Sequence, residues 1–193
     1  ARSMTLAVPP LIVIGASAGA VQALLAILPA LPRNCSAAVL VAVHVPADRA
    51  NILAPLLATR CVLPIKEAED KEPIRAGTVY FAPSDYHLLV EQDGHIALSS
   101  DEPVSYARPS IDVLFESAAD AGAASLTGII LTGANEDGSV GLAAICKAGG
   151  DAIVENPDTA QAKSMPQAAL AACPIARVLD LVQIAQHLQD RTS

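Results

Sequence analysis

The chain has 193 residues, of which 52% are hydrophobic and 17% are charged, and its formal net charge is −8. This composition excludes a disordered chain, and no apolar run approaches the roughly 18 residues that a membrane-spanning helix needs. An acidic sequence with 3% aromatic residues and no basic run is a poor candidate for nucleic-acid binding.

The first third of the chain alternates apolar runs with helical segments. The predicted elements are a strand over 11–14, a helix over 21–31, a strand over 37–43, a helix over 49–59 capped by Asp48, and a strand over 62–65. These runs are apolar throughout and are separated by helices. Such a pattern indicates a parallel sheet covered on both faces.

The middle of the chain departs from this pattern, because Gln92-Asp93-Gly94 is a hairpin turn signal. The remaining predicted elements are a strand over 78–82, hairpin strands over 86–91 and 95–99, a helix over 109–121, a central strand over 126–131, a helix ending at Lys147, a strand over 152–154, a segment over 167–172 and an amphipathic helix over 181–188 capped by Asp180. The sequence therefore predicts a doubly wound α/β fold, with a mostly parallel sheet flanked by helices and a β-hairpin insert.

Four cysteines stand at positions 35, 61, 146 and 173, with no CxxC pair and no histidine at metal-ligand spacing. This spacing predicts neither a zinc site nor a disulfide framework, and it favours buried thiols in a reducing cytoplasm. The first residues lack the apolar core of a signal peptide. Because Ala1–Ser3 precede Met4, we expect residues 1–8 to be flexible or vector-derived.

Three polar residues follow the ends of predicted strands. Ser17 follows the first strand, His44 the second, and Asp137 lies in the loop after the strand over 126–131. The carboxyl ends of parallel strands meet at one edge of a sheet, where ligands bind. The three side chains can therefore form a nucleophile, its base and the carboxylate that orients the base.

The segment Gly15–Gly19 matches the G-x-S-x-G turn between a strand and a helix. Small neighbours allow such a turn to expose the Ser17 hydroxyl, and the helix N-terminus favours a developing oxyanion. The alternative interpretation is a tight turn in which Ser17 only caps the helix. A dinucleotide-binding loop is disfavoured, because it would need glycine in place of Ser17 and an acidic residue after the second strand.

The other two residues also have structural interpretations. His44 can be a histidine whose hydrogen bonds are satisfied at a strand end, and Asp137 can cap the following helix, a role compatible with catalysis. The order Ser, His, Asp differs from that of α/β-hydrolases. His187 lies in the last predicted helix, whereas His87 and His95 belong to the hairpin, from which His87 can approach the site.

Six collinear motifs resemble the catalytic domain of the CheB-type chemotaxis methylesterases. They are GASAGAVQALLAILPALP at 15–32, VHVP at 43–46, KEAED at 66–70, VYFAPSDYHL at 79–88, RPSIDVLF at 108–115 and GIILTGANEDGSVGL at 128–142. The resemblance implies a serine hydrolase that removes methyl esters from glutamate side chains on the cytoplasmic helices of bacterial chemoreceptors, and that deamidates receptor glutamines. It implies no metal or organic cofactor.

By the same resemblance, the catalytic triad is Ser17, His44 and Asp137. The resemblance also implies oxyanion support from Ala18 and Ala134, and a cleft lined by His87, Arg108 and Met165. Residues 1–193 are expected to be one catalytic domain that stands alone in the cytoplasm, without the family's receiver domain. Control would then come from expression, from a partner, or would not exist.

The sequence departs from the family pattern around the expected site. Ala18 stands where Thr or Ser is frequent, Ala134 replaces a Met, Asn135 replaces a Gly, and Glu136 adds a charge. Asn tolerates a positive φ better than most residues, so the loop can persist if one is required. These departures motivate one alternative function, a catalytically weakened receptor-binding or scaffold module of the same fold.

Overall fold

A computed structural model of the chain describes residues 7–46 and 50–193. In this part of the chain the strands are β1 (Leu11–Ala16), β2 (Ala38–Val43), β3 (Ile65–Glu67), β4 (Val79–Phe81), β5 (His87–Val90), β6 (Ile96–Ser99), β7 (Leu126–Ile130), β8 (Asp151–Glu155) and β9 (Arg177–Leu179). Seven of them form a parallel sheet in the order β3-β4-β2-β1-β7-β8-β9, and β5 and β6 form a separate antiparallel hairpin.

Helices cover both faces of the sheet. They are α1 (Ala20–Ile27), which continues into a 3-10 turn over Leu28–Ala30, α2 (Ala50–Ala58), α3 (Ile111–Asp120), α4 (Ser139–Lys147), α5 (Ser164–Ala172) and α6 (Leu181–Thr192). Helices α1, α2 and α6 share one hydrophobic core, and α3, α4, α5 and the hairpin share the other. Within the described residues, no helix combines the length and the hydropathy that a membrane crossing requires.

Strand β1 explains why the parallel sheet was predictable. All six of its residues are buried, and Leu11 and Val13 face one core while Ile12 and Ile14 face the other. A strand with two buried faces must be apolar throughout, which is how the sequence over 11–14 appears. The predicted doubly wound α/β fold with its hairpin insert is confirmed.

Two details of the sheet were predicted wrongly. The strand placed over 62–65 forms at Ile65–Glu67, because Pro64 has no N–H to give a ladder and only its carbonyl accepts a bond, from Val79. Strand β9 was missed because it is a three-residue edge strand with Arg177 and an exposed Val178. The predicted cap Asp48 and the predicted helix start at Arg49 lie outside the described residues.

The expectation that no disulfide forms was also wrong. Cys146, near the end of α4, is bonded to Cys173, directly after α5, across a Cα–Cα distance of 6.9 Å. Cys35 and Cys61 are free thiols. The pair is 27 residues apart in sequence, so only the packing of α4 against α5 brings it together, and no short-range spacing could signal it.

Breaking this bond is expected to destabilise the fold. Because the bond closes a loop of 27 residues, C146S should lower the free energy of unfolding by about 2–4 kcal/mol. Urea unfolding with and without a thiol reductant measures the effect, and reduced wild-type protein should match C146S. C61S, which alters a free thiol, is the control. Coinciding curves for oxidised and reduced wild-type protein would show that the bond adds nothing.

Candidate active site

Three loops meet at the carboxyl edge of the sheet around the end of β1. The backbone N–H of His44 donates to Ala16 O at 3.1 Å, which extends the β1–β2 pairing by one step. The N–H of Ser17 donates to Thr132 O at 2.9 Å, which ties the same turn to the loop after β7. The backbones of the three loops are therefore joined at this edge of the sheet.

Asp137 is held by four donors. Its Oδ2 accepts from His44 Nε2 and from the Ile111 N–H, both at 2.7 Å, and its Oδ1 accepts from Ser110 Oγ and the Asp112 N–H, both at 3.0 Å. The two backbone donors are at the N-terminus of α3, which favours negative charge. Burial alone would raise the pKa of Asp137, but the hydrogen bonds from His44 and these N–H groups lower it below its ordinary value. The carboxylate is therefore charged and fixed.

Both ring nitrogens of His44 are engaged. Since Asp137 is an ionised acceptor, Nε2 carries the proton that it donates, and Nδ1 is left with the basic lone pair. Asn135 Nδ2 donates to this Nδ1 at 3.0 Å, and Asn135 Oδ1 accepts from the Asp137 N–H at 3.0 Å. Within the described residues no hydrogen bond joins His44 to Ser17, although the two line the same cavity.

Ser17 lies in a turn that needs glycine on both sides. A Cβ on Gly15 would clash with the side chain of Ile111, and Gly19 has φ +87° at the start of α1. The Ser17 carbonyl, not its hydroxyl, accepts from the Ala20 N–H at 2.9 Å. Helix α1 has no side-chain cap, so the interpretation of Ser17 as a capping serine does not hold. Among residues 7–46 and 50–193, the Ser17 hydroxyl forms no hydrogen bond.

The residues expected to support an oxyanion are both exposed. Ala18 and Ala134 lie in the loops that follow β1 and β7, and within the described residues their N–H groups donate to no protein acceptor. Asn135 does not have a positive φ, so its replacement of a glycine causes no backbone strain. Two unpaired N–H donors beside a serine turn are what an oxyanion requires.

Buried polar groups behind the site fix the loop after β7. Thr132 Oγ1 donates to Ala18 O and accepts from the Ala162 N–H, both at 2.8 Å, and the Thr132 N–H donates to Glu155 Oε1 at 3.0 Å. Burial raises the pKa of Glu155. Our sequence reasoning missed these residues, although an acidic Glu155 at the end of a buried strand was a usable signal.

Asp112 was likewise missed. It is buried, and its Oδ1 accepts from the N–H groups of Gly138 at 3.0 Å and Gly141 at 2.7 Å, in the first turn of α4. Asp137, which precedes α4, thus caps α3, and Asp112, in α3, caps α4. Burial, and secondarily the charge of Asp137, raises the pKa of Asp112 to about 6 despite the hydrogen bond from Gly141.

This raised pKa makes the effect of D112N depend on pH. Between about pH 4 and pH 6, Asp112 is protonated in the folded state and ionised in the unfolded state. Because the folded state binds the extra proton, the free energy of unfolding of wild type falls as the pH rises through this range. D112N keeps an acceptor oxygen and removes the titration. The free energy of unfolding of D112N minus that of wild type should therefore increase by about 2–3 kcal/mol between pH 4 and pH 7. Urea unfolding at both pH values measures this, and a pH-independent difference would contradict it.

Two adjoining cavities are lined by His44, and they also share Val45, Pro46 and Leu53. One, of about 510 Å³, is lined by Arg108, Pro109 and Asn135 among others, and the other, of about 480 Å³, by Ser17 and residues of the first turn of α1. Of the residues expected in the cleft, Arg108 lies there, with its guanidinium bonded to Asp85 Oδ1 at 2.8 and 3.0 Å.

The other two residues expected in the cleft lie behind it. His87 is buried, with Nδ1 accepting from the Ser110 N–H at 3.1 Å and Nε2 donating to Glu102 O at 3.0 Å. Met165 is buried against Gly133. Both residues therefore pack behind the site, and His87 contacts it only through its hydrogen bond to the N-terminus of α3. No group of three His, Cys, Asp or Glu side chains that could hold a metal occurs among residues 7–46 and 50–193.

Comparisons with known proteins all match one family. A family model described as CheB methylesterase matches residues 12–188. A relative from Leptospira interrogans is 45% identical over 175 residues, which are 91% of each chain. One from Symbiobacterium thermophilum, named protein-glutamate methylesterase/protein-glutamine glutaminase, is 39% identical over 92% of this chain and 49% of its own length. The crystal structure of the Thermotoga maritima CheB methylesterase catalytic domain matches with TM-score 0.89 at 32% identity, covering 95% of this chain and 98% of that one.

Proposed function

Since this chain belongs to the CheB methylesterase family, we propose that it hydrolyses glutamate methyl esters on bacterial chemoreceptors and deamidates receptor glutamines through Ser17, His44 and Asp137. The observation that carries this proposal is the 2.7 Å hydrogen bond between His44 and the buried Asp137, beside the serine turn. A fixed carboxylate behind an imidazole near a free hydroxyl is the arrangement that nucleophilic acyl transfer needs.

In the proposed reaction the Ser17 hydroxyl attacks the ester carbonyl while His44 Nδ1 takes its proton. Asp137 stabilises the imidazolium that forms, because its carboxylate stays charged and already holds Nε2–H. The N–H groups of Ala18 and Ala134 face the charge that develops on the carbonyl oxygen. His44 returns the proton to the departing methanol, and water then releases the glutamate by the reverse sequence.

The serine-side cavity suits a neutral substrate. Apart from His44, its described lining residues carry no ionisable side chain, and the apolar Val21, Ile52 and Leu56 lie exposed at its wall. A methyl ester or an amide enters such a cavity without losing much hydration, whereas the product carboxylate is disfavoured there. The site therefore favours the substrate over the charged product and assists product release.

The proposed partner is the cytoplasmic helical part of a methyl-accepting receptor, which places the protein in the cytoplasm. The direct test is methanol release from receptor membranes methylated beforehand, with mass spectrometry to locate glutamines converted to glutamates. Methanol production in proportion to added protein supports the proposal. Methylated receptor that remains intact in the presence of folded protein contradicts it.

One observation favours the alternative of a weakened binding module. Asn135 occupies the nitrogen that should act as the base, and Ser17 has no hydrogen bond to it among the described residues. A binding module would co-sediment with receptor membranes and release no methanol. Methanol release that depends on Ser17 and His44 excludes this alternative.

A further inference from the structure

We propose that Asn135 is a positioning residue that blocks the basic nitrogen of His44 in the free enzyme and gives it up when the ester binds. This inference rests on the proposed function, because it assigns a role in the same reaction. It starts from one contact, the donation of the Asn135 amide to His44 Nδ1 at 3.0 Å.

The amide is held in one orientation by its second bond. Its oxygen accepts from the Asp137 N–H at 3.0 Å, so the nitrogen must be the atom that faces the imidazole. Asn135 therefore links the backbone of Asp137 to the His44 ring, which the Asp137 carboxylate also binds. The two contacts fix the ring with Nε2 protonated and Nδ1 unprotonated, which is the form that a general base needs.

The same contact also prevents the base from acting. A neutral imidazole offers a single lone pair, and here that lone pair accepts from the Asn135 amide. Ser17 can transfer its proton to Nδ1 only after the amide has moved. The free enzyme thus holds the correct tautomer with a base that cannot yet accept the serine proton.

The surroundings of Asn135 allow this movement. The residue is exposed, and it lines the cavity that contains Arg108, whose lining residues do not include Ser17. When a substrate segment enters this cavity, one of its carbonyl oxygens can accept the hydrogen bond from the Asn135 amide. That oxygen then replaces His44 Nδ1 as the acceptor. Deprotonation of Ser17 is then coupled to occupation of a cavity that the serine itself does not touch.

The experiment separates the two bonds of Asn135. In N135S the shorter side chain can still accept from the Asp137 N–H but cannot reach Nδ1. A fluorophosphonate probe, whose fluoride leaves as the serine oxygen bonds to phosphorus, should label Ser17 about three- to tenfold faster in N135S and N135G than in wild type. E136Q, at an exposed neighbouring position, should label at the wild-type rate. Methanol release should show the same order in kcat/KM.

Imidazole ¹⁵N NMR gives a readout that does not depend on turnover. In wild type, His44 Nδ1 should have the shift of an unprotonated nitrogen that accepts a hydrogen bond, and N135S should move it toward the shift of a free one. Labelling of N135S at or below the wild-type rate, or a protonated Nδ1 in wild type, overturns the inference and leaves the proposed function intact. Wild-type protein that neither labels nor releases methanol contradicts the proposed function instead.

Discussion

S17A is expected to reduce methanol release by about 10³-fold or more while leaving the fold unchanged. Loss of the nucleophile removes the acyl-enzyme route, and only the weak catalysis that the oxyanion donors provide without a nucleophile remains. The hydroxyl caps no helix and has no bond to His44 among the described residues. Its removal should therefore change the free energy of unfolding by less than about 0.5 kcal/mol.

The measurement is kcat for methanol release from methylated receptor, with urea unfolding run in parallel. S139A is the matched control, because Ser139 is also half-buried and lines neither cavity. It should keep activity close to that of wild type and should still react with the fluorophosphonate probe. Activity of S17A within tenfold of wild type would mean that another group attacks the ester, and the proposed mechanism would fail.

The sequence predicted the centre of the sheet better than its edges, for a physical reason. Strands β1, β2 and β7 are buried on both faces, so nearly every residue in them must be apolar, and a continuous apolar run is easy to recognise. Strand β9 pairs on one side only, and it tolerates Arg177 and an exposed Val178. A three-residue edge strand of that kind leaves no pattern to detect.

The position of the candidate site was predictable for a different reason. Strand direction alone sends the residues after β1, β2 and β7 to one edge, whatever their side-chain conformations. The contacts that organise the site there were not predictable. The bond from Asn135 to His44 depends on two side-chain conformations, and the bonds from Gly138 and Gly141 to Asp112 depend on how α3 packs against α4.

The family motifs also identified residues near the site without indicating where in the site they lie. His87 and Arg108 both belong to motifs of the resemblance, and one lies behind the α3 N-terminus while the other lines a cavity. A one-dimensional pattern records that a residue type is needed, but it does not record which face of the site needs it. Burial in the folded chain supplies that information, and it differs for these two residues.

D137N is expected to have the second large effect, and it should act on catalysis and stability together. The carboxylate accepts four hydrogen bonds, three of them from N–H groups of the ring and the backbone. An asparagine amide in its place has one oxygen and one NH₂ group. Whichever way the amide turns, NH₂ faces either the Ile111 N–H or the Asp112 N–H, and one buried donor loses its partner.

The catalytic loss follows from the same exchange. In the orientation that places NH₂ next to His44 Nε2, the amide favours the tautomer with the proton on Nδ1, and that tautomer cannot take the proton of Ser17. In the other orientation the amide oxygen accepts from Nε2–H, but the negative charge that stabilises the imidazolium is lost. We expect kcat to fall about 10⁴-fold and the free energy of unfolding to fall by about 2–4 kcal/mol. D158N, at an exposed position, should change neither quantity.

S110A separates the two effects of D137N, because it removes one of the four donors and keeps the charge. It should cost about 1 kcal/mol of unfolding free energy and leave most of the activity. If S110A lost as much activity as D137N, the packing around the carboxylate rather than its charge would control the rate. The proposed mechanism requires the fixed negative charge of Asp137 beside His44. A D137N variant that is destabilised yet has a kcat within tenfold of wild type would therefore show that Asp137 has no part in the mechanism.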